Sequence, residues 1–219
     1  MITTLIFVRH AEAEGNKNRI FHGWTDSDIT EKGHMQAQKV AERLKNCEID
    51  LLYSSTLMRA WKTAEYIAKL KGLSVIRKDR LKEINGGDWE NVQFCKFPMQ
   101  WPNEFQTWEY ELHRHKMPNG ETVDEFRDRL VAEIKDIISN NEGKSICIVT
   151  HGTAIRVLLS YFYGSPETIN NIRWCDNTAV SVVEVDKDRY SVIMQNDASH
   201  IADELSSLYM YKSTNNQQI

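Results

Sequence analysis

The chain has 219 residues, of which 41% are hydrophobic and 26% charged, with a formal net charge of −4. That length buries a real core, and the acidic balance argues against a nucleic-acid binder, which would carry a basic excess. An anionic ligand must therefore be met by a local cationic pocket. The four cysteines, Cys47, Cys95, Cys147 and Cys175, stand far apart without a C-x-x-C pair or zinc-like spacing. That pattern fits reduced thiols and a cytoplasmic location.

In chain order, Thr3 to Val8 is the first predicted strand. Its apolar run is too short for a signal peptide or a membrane span and ends at Arg9-His10. Thr30 can cap a helix that turns Ala37, Val40 and Leu44 inward. A strand over Asp50 to Tyr53 precedes a helix from about Thr56 to Lys71, with Ala60, Ala64, Ile67 and Leu70 on one face and Gly72 as its stop. Ser74 to Arg77 is a short candidate strand.

The stretch from Trp89 to Met117 breaks the rhythm. It holds Trp89, Phe94, Phe97, Trp101, Phe105, Trp108 and Tyr110, then His113-Arg114-His115-Lys116. It is predicted to be a small helical cap, inserted over the active site. A capping box at Thr122-Val123-Asp124-Glu125 opens a helix carrying Phe126, Leu130, Ile134, Ile137 and Ile138. Ser145 to Val149 is the third strand, leading into a helix from Thr153 to Tyr163 with Gly164 and Pro166 as stop signals. Ala179 to Val185 and Tyr190 to Met194 form a late hairpin at the sheet edge. Residues 213–219 are a polar tail. Alternating βα units predict an α/β fold, a three-layer α/β/α sandwich on a mostly parallel sheet, in a single domain over 1–219.

Ligands bind beyond the carboxyl ends of parallel strands. The first strand runs out at Arg9-His10, the second at Ser54-Ser55 with Arg59 in the next turn, the third at Thr150-His151-Gly152. Two arginines and two histidines thus meet on one rim, read as four cationic side chains around one tetrahedral dianion. Two helix N-termini beside them would add free N–H groups. Arginine matches phosphate oxygens with a planar fork, and a neutral imidazole is a competent nucleophile toward phosphorus.

Five segments occur in order: Val8-Arg9-His10-Ala11-Glu12-Ala13-Glu14-Gly15-Asn16, Tyr53-Ser54-Ser55-Thr56-Leu57-Met58-Arg59-Ala60, Leu81-Lys82-Glu83-Ile84-Asn85-Gly86-Gly87-Asp88-Trp89-Glu90, Pro118-Asn119-Gly120-Glu121-Thr122 and Val149-Thr150-His151-Gly152. Together they resemble the histidine phosphatase superfamily, with its phosphoglycerate-mutase-like fold. The resemblance implies a metal-independent phosphatase acting on small phosphomonoesters through a phosphohistidine, without a cofactor. It implies His10 as nucleophile, Arg9, Arg59 and His151 as holders of the phosphoryl oxygens, and Glu83 as the acid on the leaving oxygen. Asn16 and Gly23 match phosphate-side loop residues, and Gly152 follows the second histidine. Ala11 stands where the family commonly has glycine, which implies a shifted loop with the chemistry kept.

The same residues bear on rival chemistries. A phosphoglycerate mutase shares the first step, but mutases of this family tend to carry a longer insertion than Glu83 to His151 allows. A non-catalytic phospho-ligand binding protein would usually lack the nucleophile or the acid. Asp26-Ser27-Asp28-Ile29-Thr30 matches the D-x-D-x-T signature of magnesium-dependent phosphatases, yet no apolar strand precedes it. No cysteine has an arginine six positions on, and no P-loop occurs. His22, His34 and His200 join no constellation and read as surface or structural residues. His113-Arg114-His115-Lys116 reads as a solvated cap face, with recognition of a second anionic group as the other option. The cap aromatics read mostly as glue, with one or two reaching the pocket.

Overall fold

The computed structural model describes residues 1–207; the expected polar tail over 213–219 lies outside the described residues. One six-stranded sheet runs through the molecule, its strands lying side by side in the order Val75–Lys78, Leu51–Ser55, Ser145–Thr150, Thr3–Arg9, Val180–Asp186 and Arg189–Asp197. Strand β1 (Thr3–Arg9) lies at its centre, followed in the chain by a single helical turn α1 (Glu14–Lys17) and helix α2 (Glu31–Leu44). Strand β2 (Leu51–Ser55), helix α3 (Met58–Lys71) and strand β3 (Val75–Lys78) come next. Two short helices, α4 (Phe97–Gln100) and α5 (Pro102–Tyr110), occupy the aromatic stretch. Helix α6 (Val123–Ser139), strand β4 (Ser145–Thr150), helix α7 (Gly152–Phe162) and the hairpin β5 (Val180–Asp186) and β6 (Arg189–Asp197) complete the order. Strands β1, β2, β3 and β4 pair in parallel, and β5 and β6 pair antiparallel.

The period-two alternation of β1 sorts its side chains onto two cores. Leu5 and Phe7 pack with Ile146, Ile148, Phe126, Leu130 and Leu158 under α6 and α7. Ile6 and Val8 pack with Cys147, Val149, Val40, Leu44, Ala60 and Ile67 under α2 and α3. A strand buried on both faces requires such a continuous apolar run, each large side chain contributing roughly 1.5–3 kcal/mol on burial.

The caps lie where hydroxyls can close them. Thr30 Oγ1 accepts from Gly33 N at 3.0 Å, and the Thr122–Glu125 capping box is closed in both directions. Gly72 ends α3 in the left-handed region at φ 68°. Leu70 departs from the predicted inward face: in the last turn of α3, beside the Gly72 stop, it is 43% exposed.

His115 corrects another expectation. It is 1% exposed, held by Thr107 Oγ1 at 2.9 Å and lodged 5.2 Å from the rings of both Trp89 and Trp108. The basic quartet is therefore no uniform solvated face. Burial between these two rings, rather than a charge partner, desolvates the imidazole and pushes its pKa down to about 4. Among the described residues no helix is long and apolar enough to cross a membrane.

Candidate active site

The carboxyl ends of β1, β2 and β4 deliver Arg9, His10, Ser55 and His151 to one floor, and Arg59 rises from the first turn of α3. Backbone register holds His10: its N–H donates to Thr150 O at 2.8 Å, and its carbonyl accepts from Asn177 Nδ2 at 2.9 Å. The next residue, Thr178, holds φ 61° while its N–H reaches Arg9 O at 3.1 Å. A β-branched residue in that region is strained, so the surrounding bonds over-determine it.

His10 is 3% exposed, and its Nδ1 lies 2.7 Å from Ala11 O. A carbonyl can only accept, so Nδ1 carries the hydrogen. The lone pair is left on Nε2, the nitrogen turned to the cavity that His10 lines. Burial, then Arg59 and Arg9, hold the pKa well below its ordinary value, which keeps this nitrogen unprotonated. Ala11 fits here: its methyl is absorbed among Ile29 and Ala37, and its N–H donates to Thr63 Oγ1 at 2.9 Å.

Around His10 lie three buried nitrogens without a partner: Arg9 Nε, Arg59 Nε and His151 Nδ1. Arg9 Nη1, both Nη atoms of Arg59 and His151 Nε2 are spent on the protein. Arg9 Nη1 donates to Cys175 O at 2.6 Å. Arg59 grips the 22–25 loop, its Nη1 donating to Thr25 O and its Nη2 to His22 O and Gly23 O. His151 Nε2 is 2.9 Å from Ser55 Oγ, and its ring centroid is 5.2 Å from that of His10. Burial, then Arg59, lowers the His151 pKa well below normal as well. The floor thus holds two permanent cations, not four, because both imidazoles rest neutral.

The helix N-termini are also busier than the sequence suggested. Met58 N donates to Asp26 Oδ1, Leu57 N to Ser55 Oγ, and Thr153 N to Glu83 Oε2. These donors serve the protein, which leaves guanidinium and imidazole groups to meet an anion.

Glu83 lines the same cavity. Its carboxyl accepts from Ile84 N and Thr153 N, both at 2.9 Å, while its backbone carbonyl is tied to Trp24 Nε1 and Arg129 Nη2. Burial raises its pKa above the usual carboxylate range despite those bonds. A raised pKa favours the protonated carboxyl, the form that can act as an acid.

Asn16, Gly23 and Gly152 also line the cavity, Asn16 fixed by Ala13 N donating to its Oδ1 at 3.0 Å. Gly23 has no alternative: a Cβ there would sit 2.1 Å from Ile84 O. The Glu90 carboxylate accepts from Trp24 N, Thr25 N and Gly86 N, closing this loop against the acid-bearing segment.

His22 overturns its reading as a surface or structural residue. Its ring stands edge-on to His10 at 5.9 Å, lines the cavity, and has its pKa held well below normal by burial, then Arg59 and Arg9. Gly15 makes room for it, since a Cβ there would lie 2.4 Å from the ring. Its neighbours in space are remote in sequence, so spacing could not reveal it. His34 and His200 do stay outside, bonded to Tyr66 and to Arg43 and Thr178. The Cys175-Asp176-Asn177-Thr178 turn was also missed; its polar run just before β5 was the available signal.

Above the floor the cavity opens to about 1020 Å³. Among the described residues no group of three or more His, Cys, Asp or Glu side chains is arranged to hold a metal ion.

Residues 5–198 match the model of the histidine phosphatase superfamily, branch 1. The chain belongs to this superfamily. Phosphoserine phosphatase 1 of Hydrogenobacter thermophilus is 29% identical over 199 residues, covering 91% of this chain and 94% of the relative. Phosphoglycerate mutase-like protein 4 of Arabidopsis thaliana is 32% identical over 201 residues, covering 90% and 86%. The solved structure of Bacillus stearothermophilus YhfR superposes with a TM-score of 0.86 at 32% identity, covering 91% of this chain and all of that one. The fold is the phosphoglycerate-mutase-like α/β fold, and the superfamily and its phosphatase-named members place the chain among phosphoric monoester hydrolases.

Proposed function

We propose that the protein hydrolyses small phosphomonoesters through a phosphohistidine on His10, without a metal ion. The observation that carries this reading is the set of orphaned nitrogens, Arg9 Nε, Arg59 Nε and His151 Nδ1, buried around an imidazole whose Nε2 is unprotonated. Buried donors are nearly always satisfied, so several left open together call for an acceptor with several oxygens. A phosphoryl group is that acceptor, and charge-assisted bonds to it are worth roughly 1.5–3 kcal/mol each.

In the first step His10 Nε2 attacks phosphorus in line. The N–P bond forms as the P–O bond to the leaving group breaks, and Glu83 gives its proton to the departing oxygen. The Nδ1–H bond to Ala11 O holds the ring in the attacking tautomer and spreads the positive charge that develops. Arg9, Arg59 and His151 bear the negative charge on the three equatorial oxygens, His151 as an Nδ1–H donor when Ser55 Oγ–H serves its Nε2. In the second step water attacks phosphorus and gives its proton to Glu83. The N–P bond breaks, phosphate leaves, and the starting protonation states return. His22 packs beside the same oxygens as a further polar wall.

Hydrolysis is favoured over mutase transfer because the chamber over His10 is wide and bordered by exposed residues such as Glu14, Lys17 and Glu31, giving water a path to the phosphoenzyme. The test is phosphate release from a panel of phosphomonoesters in the presence of a chelator, with 3-phosphoglycerate isomerisation followed in parallel. Release that is chelator-resistant and lost in His10→Ala is expected. Efficient isomerisation with negligible release would overturn the hydrolytic reading.

A further inference from the structure

The chamber beyond the phosphoryl floor differs from the floor in character, and its walls say what the rest of the substrate is. We infer that the leaving group of the preferred substrate is an uncharged alcohol bearing a flat aromatic ring, stacked on Trp174; this deepens and rests on the phosphomonoesterase reading above.

Three observations converge. The first is size. About 1020 Å³ lies at the upper end of the roughly 300–1,000 Å³ typical of sites for drug-sized ligands. A phosphoryl group with a three-carbon tail leaves most of that space filled with water.

The second is the platform. Trp174 lines the chamber and is 41% exposed, yet it is not loose. The Arg156 guanidinium lies 4.2 Å from its ring centroid, and the Trp108 ring lies 6.0 Å away, tilted by 34°. Arg156 is itself 6% exposed and anchored by donating to Ile172 O and Ile169 O. An indole held in place by a buried guanidinium, with area left open toward a cavity, is a stacking surface whose ordering cost is already met. Phe105 and Trp108 extend the aromatic wall.

The third is charge. The cations outside the floor are already engaged: Lys17 with Glu14 at 3.9 Å, Lys32 with Glu12 at 3.6 Å, and Arg19 also has a partner. Glu31 and Glu109 add negative charge to the same lining. A leaving group with a carboxylate or second phosphate would sit beside these carboxylates, and among the described lining residues no unengaged cation stands outside the floor to receive it. Phosphoserine and phosphoglycerate are therefore the wrong shape and the wrong charge.

The experiment compares three esters of primary alcohols, so that the same kind of P–O bond breaks in each: naphthylethyl phosphate, ethyl phosphate and O-phosphoserine. The kcat/KM for naphthylethyl phosphate should exceed that for ethyl phosphate by about tenfold or more, mostly through KM, with phosphoserine no better than ethyl phosphate. Trp174→Ala should collapse the naphthylethyl-to-ethyl ratio by about tenfold, and Trp174→Phe should restore most of it. Phosphoserine as the best of the three would overturn the inference. So would a Trp174→Ala loss equal for all three esters, which is what a purely structural tryptophan gives. Calorimetric binding of naphthylethylphosphonate against ethylphosphonate reads the chamber without turnover. Equal affinities would overturn the inference, whereas tighter naphthyl binding with no hydrolysis of any ester would sustain the ligand class and sink the hydrolytic reading instead.

Discussion

The floor and the chamber above it are built on opposite plans. On the floor Arg9, Arg59 and His151 are each pinned by at least one bond to the protein and each keeps one buried nitrogen in reserve. The chamber has aromatic walls, and its lysines are already paired with carboxylates. The difference teaches where tolerance lies. On the proposed mechanism, transition-state charge develops at the floor and a displaced donor there costs rate, while the chamber would contribute binding that distinguishes one alcohol from another.

Breaking the floor at its nucleophile has the largest expected effect. His10→Ala should lower kcat/KM by at least about 10⁴-fold for every ester alike, because no neighbouring group can take over attack. Steady-state phosphate release measures it, and a residual rate within tenfold of the parent would move the chemistry elsewhere.

Glu83→Gln comes next, at roughly 10²–10⁴-fold in kcat. Its pH profile is the sharper readout. The raised Glu83 pKa keeps the acid protonated beyond the ordinary carboxylate range, so activity should fall as pH rises through that pKa. The variant should lose that alkaline limb. Persistence of the limb would assign it to another group.

Arg59→Met should cost about 10²-fold and damage two things together. It removes a phosphoryl donor and frees the carbonyls of His22, Gly23 and Thr25. A higher KM accompanied by a lower Tm is expected; a rise in KM with Tm unchanged would show that the loop stands without its guanidinium.

The smallest effect is on stability. His10, His22 and His151 all have folded pKa values held below the ordinary one, chiefly by burial. The unfolded chain then binds more protons below about pH 6.5, so stability present above that pH falls as pH drops through the window. Each histidine contributes a slope of up to about 1.4 kcal/mol per pH unit. His22→Asn should flatten the Tm–pH curve below pH ~6.5. A curve unchanged in shape would mean that His22 titrates normally.

The floor was legible in the sequence because parallel strands announce themselves as apolar runs, and their last residues mark the rim: Val8-Arg9-His10 and Val149-Thr150-His151 needed only the rule of where such strands end. The chamber was legible in part: cap aromatics were expected to reach the pocket, and Phe94, Phe105 and Trp108 line it. His22 sits in a loop without periodicity, and the Arg59 grip, the contact with Ser27 Oγ and the clearance at Gly15 bring it beside His10. Trp174 and Asn177 belong to a turn whose role depends on how β5 returns along β1. His115 looked like part of a basic run because charge along the chain says nothing of which side chain turns inward between Trp89 and Trp108. The charge state of the floor was likewise hidden, since burial, which no sequence prints, neutralises both imidazoles.

The central claim is that His10 Nε2 accepts the phosphoryl group. Rapid acid-free quenching during turnover of a radiolabelled ester, followed by peptide mapping, tests it directly. The account predicts a phosphoryl group on His10, stable in alkali, labile in acid and absent from His10→Ala. Label on a carboxylate or hydroxyl, or turnover by His10→Ala at the parent rate, would contradict it.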